Sequence, residues 1–436
     1  MTTLNPIADL NESPAGHAND RLRRGGLWPY LLAMGPGLIA ANAGNDAGGI
    51  ATYASAGASY GYAFLWVMLV ILLCLGVVQE MCARLGAVTG KGFADLVREN
   101  FSLRMTAFIL LALLLANFGV IVTEFVGIGA AAELFGISRH IAIPVSAILL
   151  WVLITRGSYD RVEKIFLVLT LVFLAYIGAA FLAKPDWHAV LRDTTHPAII
   201  NDPGYLTMLI ALIGTTITPY MQLYVTSSVA EKGIRPEDYR FTRAEVWVGT
   251  FFAVAISGFI IIATAATLFP IHKEVETAAD AAMALAPLAG EYASYLFAIG
   301  LLGACLLAGG VLPLSTTYVM SEAAGFERGV SRSWGEAPIF IGMFTALLAL
   351  GAAIAMIPGL PVIPVLLGVQ VVNGLLLPIE LLAILRLINN RELMGRHVNG
   401  RVYNLLAWTI AAGVSLLSLA LIVITVLGWF GVQLIG

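Results

Sequence analysis

Asp46 is the only charged side chain between Gly25 and Gln79, a stretch that is otherwise apolar. A carboxylate at bilayer depth costs roughly 2.5 to 3.5 kcal/mol on insertion scales, so it is retained where it faces a cavity and meets a cation. It sits inside Gly44-Asn45-Asp46-Ala47-Gly48-Gly49. Each glycine weakens a helix by about 1 kcal/mol and leaves backbone carbonyls available to bind something. The pattern predicts a break in a membrane helix with Asp46 at the break, near Gly44 and Gly48. Two readings follow: a cation site, or a glycine packing cluster whose aspartate is satisfied by neighbouring hydroxyls.

A second stretch has the same character. Pro203 to Ala230 carries no charge yet contains Gly214-Thr215-Thr216-Ile217-Thr218-Pro219. Proline removes a backbone donor, and the threonines beside it offer hydroxyls to the groups it frees, so a break is expected between Gly214 and Pro219. Asn42 lies one helical turn before Asp46 and Asn45 flanks it. With carbonyls released at Ala43 and Thr215 and the hydroxyls of Thr215 and Thr218, these residues make an all-oxygen shell around one carboxylate. That is chemistry for a hard divalent cation such as Mg²⁺ or Mn²⁺. Gly49 and Gln370 complete the candidate shell. Gln222 and Gln370 read equally as ligands or as interhelical hydrogen-bonding groups.

Other titratable groups sort by depth. Glu124 has no basic residue between Arg104 and Arg139 to pair with, so it reads as a proton-relay or second-cation group, or as a protonated structural acid. Glu380, six residues before Arg386, reads as half of an interfacial pair. Glu80 and Arg84, spaced i,i+4, read as a surface ion pair. All six histidines fall outside the apolar segments, which weakens any mechanism needing a neutral-pH imidazole in the bilayer. Cys74, Cys82 and Cys305 lack paired spacing and read as small core residues, without disulfide or metal role.

The elements that position these residues must be membrane helices. The chain of 436 residues is 59% hydrophobic and 12% charged, far from the composition of soluble domains. Its net charge of −3 argues against a nucleic-acid partner. Cutting at charges and turn residues predicts an all-α polytopic membrane protein with eleven spans near 29–56, 62–83, 105–129, 141–155, 162–183, 204–230, 245–269, 290–320, 337–357, 361–385 and 403–432. Residues 1–27 read as a disordered cytoplasmic tail and 28–436 as one transmembrane domain, with inverted repeats near 28–185 and 203–388 and an extra helix at 402–432. Of the 24 Lys and Arg, only Arg139, Lys184, Arg192 and Lys273 fall outside one alternate set of loops. The positive-inside rule then puts the N-terminus in the cytoplasm and, with an odd span count, the C-terminus outside.

Gly35-Pro36-Gly37 through Asp46, Ile50-Ala51-Thr52-Tyr53 and Gly57-Ala58-Ser59-Tyr60-Gly61-Tyr62 resembles the first helix of the Nramp divalent-metal transporters. Val78-Gln79 and Arg391-Glu392-Leu393-Met394-Gly395 share the likeness, which covers essentially all eleven spans. The resemblance implies the leucine-transporter type of fold, five plus five inverted helices and one more, with helices one and six unwound at the midplane around the ion. The departures are specific. Where the family has Asp-Pro-Gly-Asn, this chain has Asp46-Ala47-Gly48-Gly49, and Asn42 or Asn45 stands in for the lost amide. Met-Pro-His becomes Thr218-Pro219-Tyr220, and Ile121 replaces the first of two helix-three acids, leaving Glu124. These changes resemble an Nramp-related branch that carries Mg²⁺.

The expectation is a transporter of divalent cations (Mn²⁺ or Mg²⁺) in the cytoplasmic membrane of a prokaryote, working by alternating access with proton coupling in doubt. The metal is cargo, and no cofactor or enzymatic activity is expected. An amino-acid or organic-cation symporter of the same fold, with Asp46 pairing a substrate ammonium, is the alternative. An intramembrane hydrolase using Asp46 and Glu124 lacks any recognisable protease motif.

Overall fold

The structure is a computed structural model that describes residues 45–156, 174–197, 199–234, 236–237, 239–326 and 337–429. Fourteen helices of eight or more residues carry the architecture: α1 (Ala47–Tyr60), α2 (Leu65–Thr89), α3 (Phe93–Asn100), α4 (Leu103–Leu134), α5 (Arg139–Arg156), α6 (Leu174–Leu182), α7 (Trp187–Thr195), α8 (Pro203–Thr216), α9 (Pro219–Glu231), α10 (Tyr239–Thr267), α11 (Ala293–Ala324), α12 (Pro338–Ala355), α13 (Val362–Ile388) and α14 (Arg401–Trp429). Among the described residues, nine helical segments are long and apolar enough to cross a bilayer, with α8 and α9 counted as one. With α1 and α6, each of the eleven expected spans finds a helix, and the tail at 1–27 lies outside the described residues.

Local chemistry sets the ends. Asp202 caps α8 by accepting from the Tyr205 N–H at 2.9 Å, and Pro203 occupies the first turn, where no N–H is needed. Gly61 and Gly90 close α1 and α2 at φ of 58° and 63°, a conformation that side chains with a β-carbon resist.

The helices sort into centre and periphery. The most apolar window of α8 and α9 is 78% buried by protein, against 28% for α14, whose remaining surface is left for lipid. At the centre, α8 crosses α13 so closely that a β-carbon on Gly214 would come within 2.1 Å of the Gln370 carbonyl oxygen and 2.4 Å of the Gly374 nitrogen. Gly127 of α4 likewise admits the Ala47 methyl and the Cys305 thiol. The three cysteines are buried and free, as their spacing implied.

Two expected ion pairs are corrected. Glu80 and Arg84 are joined at 3.2 Å, yet their side chains are 5% and 12% exposed, so this is no surface pair. Tyr239 donates to Glu80 Oε1 at 2.5 Å, while Arg84 donates to the His397 carbonyl at 3.0 Å and to Asn399. The network fastens the C-terminal half of α2 to α10 and to the segment before α14. Glu380 makes no pair with Arg386; it is fully buried and both carboxyl oxygens lack partners. Six residues of helix leave the two side chains roughly 120° apart around the axis, and Arg386 is exposed.

Candidate cation site

The break expected before Pro219 is present, and α1 begins right after Asp46, while the stretch before Asn45 lies outside the described residues. Asp46 has extended backbone, φ −71° and ψ −176°, and is the N-cap of α1; its Oδ1 accepts from the Gly49 N–H at 2.5 Å. One carboxylate oxygen is thereby aimed at the positive end of a helix, which offsets part of its charge. The second break separates α8 from α9 at Ile217 and Thr218, with ψ of 54° and 140°. Pro219 opens α9 without an N–H, so the Thr215 carbonyl that a continuous helix would bond is released.

Around these breaks lies a set of fully buried polar atoms with no hydrogen-bond partner. Asp46 Oδ2, Glu124 Oε1, the Thr215 and Thr218 hydroxyls and Gln222 Oε1 are oxygens of this set. Gln370 Nε2 and Asn373 Oδ1 belong to it as well. Native interiors leave few such groups, so a cluster of them marks a place that something else completes. The elements are held in contact by short links. The Ala47 N–H donates to Glu124 Oε2 at 3.4 Å, bringing α4 to the Asp46 break. The Gln370 amide lies against Gly48, where a β-carbon would meet its Nε2 at 1.9 Å. Asn373 Nδ2 donates to Gln370 Oε1 at 2.9 Å, and Gln222 Nε2 to the Thr218 carbonyl at 3.4 Å. Tyr53 and Thr216 share a hydrogen bond of 2.9 Å that ties α1 to α8 beside the break.

The arrangement brings Glu124 and Gln370 to the first turn of α1 at Asp46, ties α1 to α8 beside Thr215 and Thr218, and excludes others. Asn42, Ala43 and Gly44 lie outside the described residues. Asn45 was expected to flank the carboxylate as a ligand, but its amide turns to α10: Oδ1 accepts from Ser257 at 2.8 Å and Nδ2 donates to the Ala253 carbonyl at 3.4 Å. Gly49 serves the carboxylate through its N–H within the first turn of α1 instead of offering an oxygen. Gly48 and Gly214 do not break their helices; each is a place of close approach, to the Gln370 side chain and to the α13 backbone. Only Pro219 of the described helix-breaking residues stands at a break.

Asn373 and Cys305 were overlooked. Asn373 had a signal, since it is the one other amide in the apolar run of α13 and lies three residues after Gln370, on the same face. Cys305 meets α4 beside Glu124 only through the tertiary crossing at Gly127. Among the described residues no three His, Cys, Asp or Glu side chains gather into a metal cluster. The chemistry available is therefore neutral oxygen donors with the acidic side chains of Asp46 and Glu124, suited to a hard cation that keeps part of its water.

Comparison with known proteins places the chain by sequence and by fold. The chain is 30% identical over 395 residues to the divalent metal cation transporter MntH of Burkholderia ambifaria, covering 86% of this chain and 85% of that protein. It is 30% identical over 425 residues to the divalent metal cation transporter MntH 1 of Pseudomonas aeruginosa, with 92% of each covered. Among solved structures, the Eremococcus coleocola manganese transporter superposes with a TM-score of 0.74 at 20% identity, over 93% of this chain and 89% of that one. Mhp1, a nucleobase-cation-symport-1 family transporter, gives 0.58 at 14% identity over 89% and 91%. The fold is thus of the leucine-transporter type shared by these proteins. The model for the Nramp family, natural resistance-associated macrophage protein-like, matches residues 37–424, and the chain belongs to that family.

Proposed function

We propose that this protein is a secondary transporter of divalent metal cations, and no enzyme, with Asp46 as the charged ligand. One observation carries the reading: Asp46 is fully buried, one of its oxygens has no partner, and it lies at a helix break beside the unpartnered hydroxyls of a second break. A permanent carboxylate there is stable in company with a positive visitor. Thr215, Thr218 and Gln370 supply the neutral remainder, together with the released Thr215 carbonyl. The relatives' names support divalent metal as cargo.

Within that class the donor set favours Mg²⁺ and Mn²⁺ over softer ions. Thr218 brings a hydroxyl where a sulfur would select transition metals, and no thiolate belongs to either break. Glu124 touches the first turn of α1 and is the group through which a proton would be coupled. Among the described spans the one imidazole is His140, exposed in the first turn of α5, and none is buried beside Glu124 to assist it, so the flux carries few protons. Movement is a rocking of one helical repeat, near 28–185, against the other, near 203–388, around the fixed site. The basic loops place the N-terminus in the cytoplasm and the C-terminus outside, in the cytoplasmic membrane.

The test is uptake by proteoliposomes of Mn²⁺ and of Mg²⁺, for wild type and Asp46→Ala, with internal pH followed throughout. Both fluxes disappear in the variant, and wild-type uptake acidifies the lumen little. Equal uptake by the two proteins removes Asp46 from the site. Thermal stabilisation by amino acids and by neither metal favours the organic-substrate reading instead.

A further inference from the structure

We infer that a groove between α4, α13 and α14 is a binding site for an anionic phospholipid, with the phosphate at Arg386 and an acyl chain along the groove. The cavity holds 870 Å³. Its walls are apolar, with Phe108, Ile109, Ile379 and Leu382 among them, and Trp408 stands at its edge. Phe108, Leu382 and Trp408 are exposed, so the groove opens sideways toward lipid. One end is polar: Arg386, Asn389 and Asn404 close it. From Ile379 to Arg386 the helix rises roughly 10 Å, the depth from hydrocarbon to headgroup.

The charge at that end has no ion-pair partner among the described residues. Arg386 rests over the Phe101 ring at 5.6 Å and makes no ion pair among the described residues. Arg104 and Arg401 are exposed in the first turns of α4 and α14, again without an ion pair among the described residues, and each opposes the dipole of its own helix. Arg386 in the wall of an apolar slot, with Arg104 and Arg401 on the first turns of the two helices that also line it, calls for a ligand with a negative head and a hydrocarbon tail. Asn389 donates to Asn404 Oδ1 at 2.8 Å, which fixes the polar end before any ligand arrives. The surrounding loops are those the basic-residue distribution places in the cytoplasm, where the leaflet surface is negative. The site is independent of what the protein transports.

Native mass spectrometry of the detergent-solubilised full chain, offered phosphatidylglycerol and phosphatidylcholine in equal amounts, tests it. Wild type retains phosphatidylglycerol in preference, Arg386→Gln lowers that preference roughly fivefold, and Arg192→Gln, on a remote exposed arginine, leaves it unchanged. Leu382→Trp fills the groove with the charge intact and lowers retention as well. The inference falls if wild type holds both lipids equally, if Arg386→Gln behaves as wild type, or if Leu382→Trp retains the full preference. Displacement by free glycerol phosphate as effective as by the whole lipid also overturns it, because the groove would then contribute nothing.

Discussion

Two sets of buried carboxylates in this molecule have opposite surroundings. At the end of α2, Glu80 receives Tyr239 and Arg84, while nearby Glu322 of α11 accepts from Ser227 at 2.8 Å and from the Ala94 N–H at 3.1 Å at the start of α3. Gly92 leaves the space for that carboxylate to reach the α3 terminus. These groups are spent on holding helices together. At the two breaks, Asp46 and Glu124 each keep one oxygen without a partner, among hydroxyls and amides in the same condition. Burial is equal in kind; satisfaction differs. The first arrangement is a fastening, and the second is a place left open for an ion.

This contrast is broken or sharpened by substitutions that read stability and transport separately. The largest effect belongs to Asp46→Asn, which removes transport of Mn²⁺ to background in proteoliposomes while the thermal midpoint in detergent stays at or above that of wild type, since the oxygen lost had no protein partner. Glu80→Ala gives the reverse. It strands Arg84 and Tyr239 in a buried setting and costs roughly 3 kcal/mol, measured as a lowered midpoint, while Mn²⁺ affinity of the folded fraction is retained. Glu380→Met tests a buried, unpartnered carboxyl away from both breaks: the midpoint rises by an equivalent of about 1 to 3 kcal/mol, with affinity for Mn²⁺ unchanged. Asn45→Ala loses its bonds to α10, costing about 1 kcal/mol without altering Mn²⁺ affinity; a large loss of affinity would return Asn45 to the shell.

The smallest effect lies at the outer surface. The Tyr60 hydroxyl donates to Asp202 at 2.9 Å and holds its carboxyl below the ordinary value, helped by the Tyr205 and Gly204 N–H groups. Its stabilisation is present above the unfolded pKa and is lost as pH falls through the lowered folded one. Tyr60→Phe therefore shallows the acid limb of a plot of thermal midpoint against pH and leaves the neutral range alone.

The sequence alone determined the membrane class, the eleven spans, the helix break before Pro219 and the isolation of Asp46, because each rests on local quantities: length of apolar run, a missing N–H at Pro219, one charge among many apolar neighbours. It also placed Thr215, Thr218 and Gln370 in the candidate set. What it left undecided was direction. Asn45 and Asp46 are adjacent, yet one amide turns to Ser257 while the carboxylate stays at the break, and no spacing rule separates them. Gly48 and Gly214 read as helix-breaking residues until α13 is seen lying against both. Glu80 and Arg84 read as a surface pair until α10 and the segment before α14 cover them. Helical periodicity assigns a face, but which partner occupies that face depends on residues hundreds of positions away, and only the packed helices bring them together.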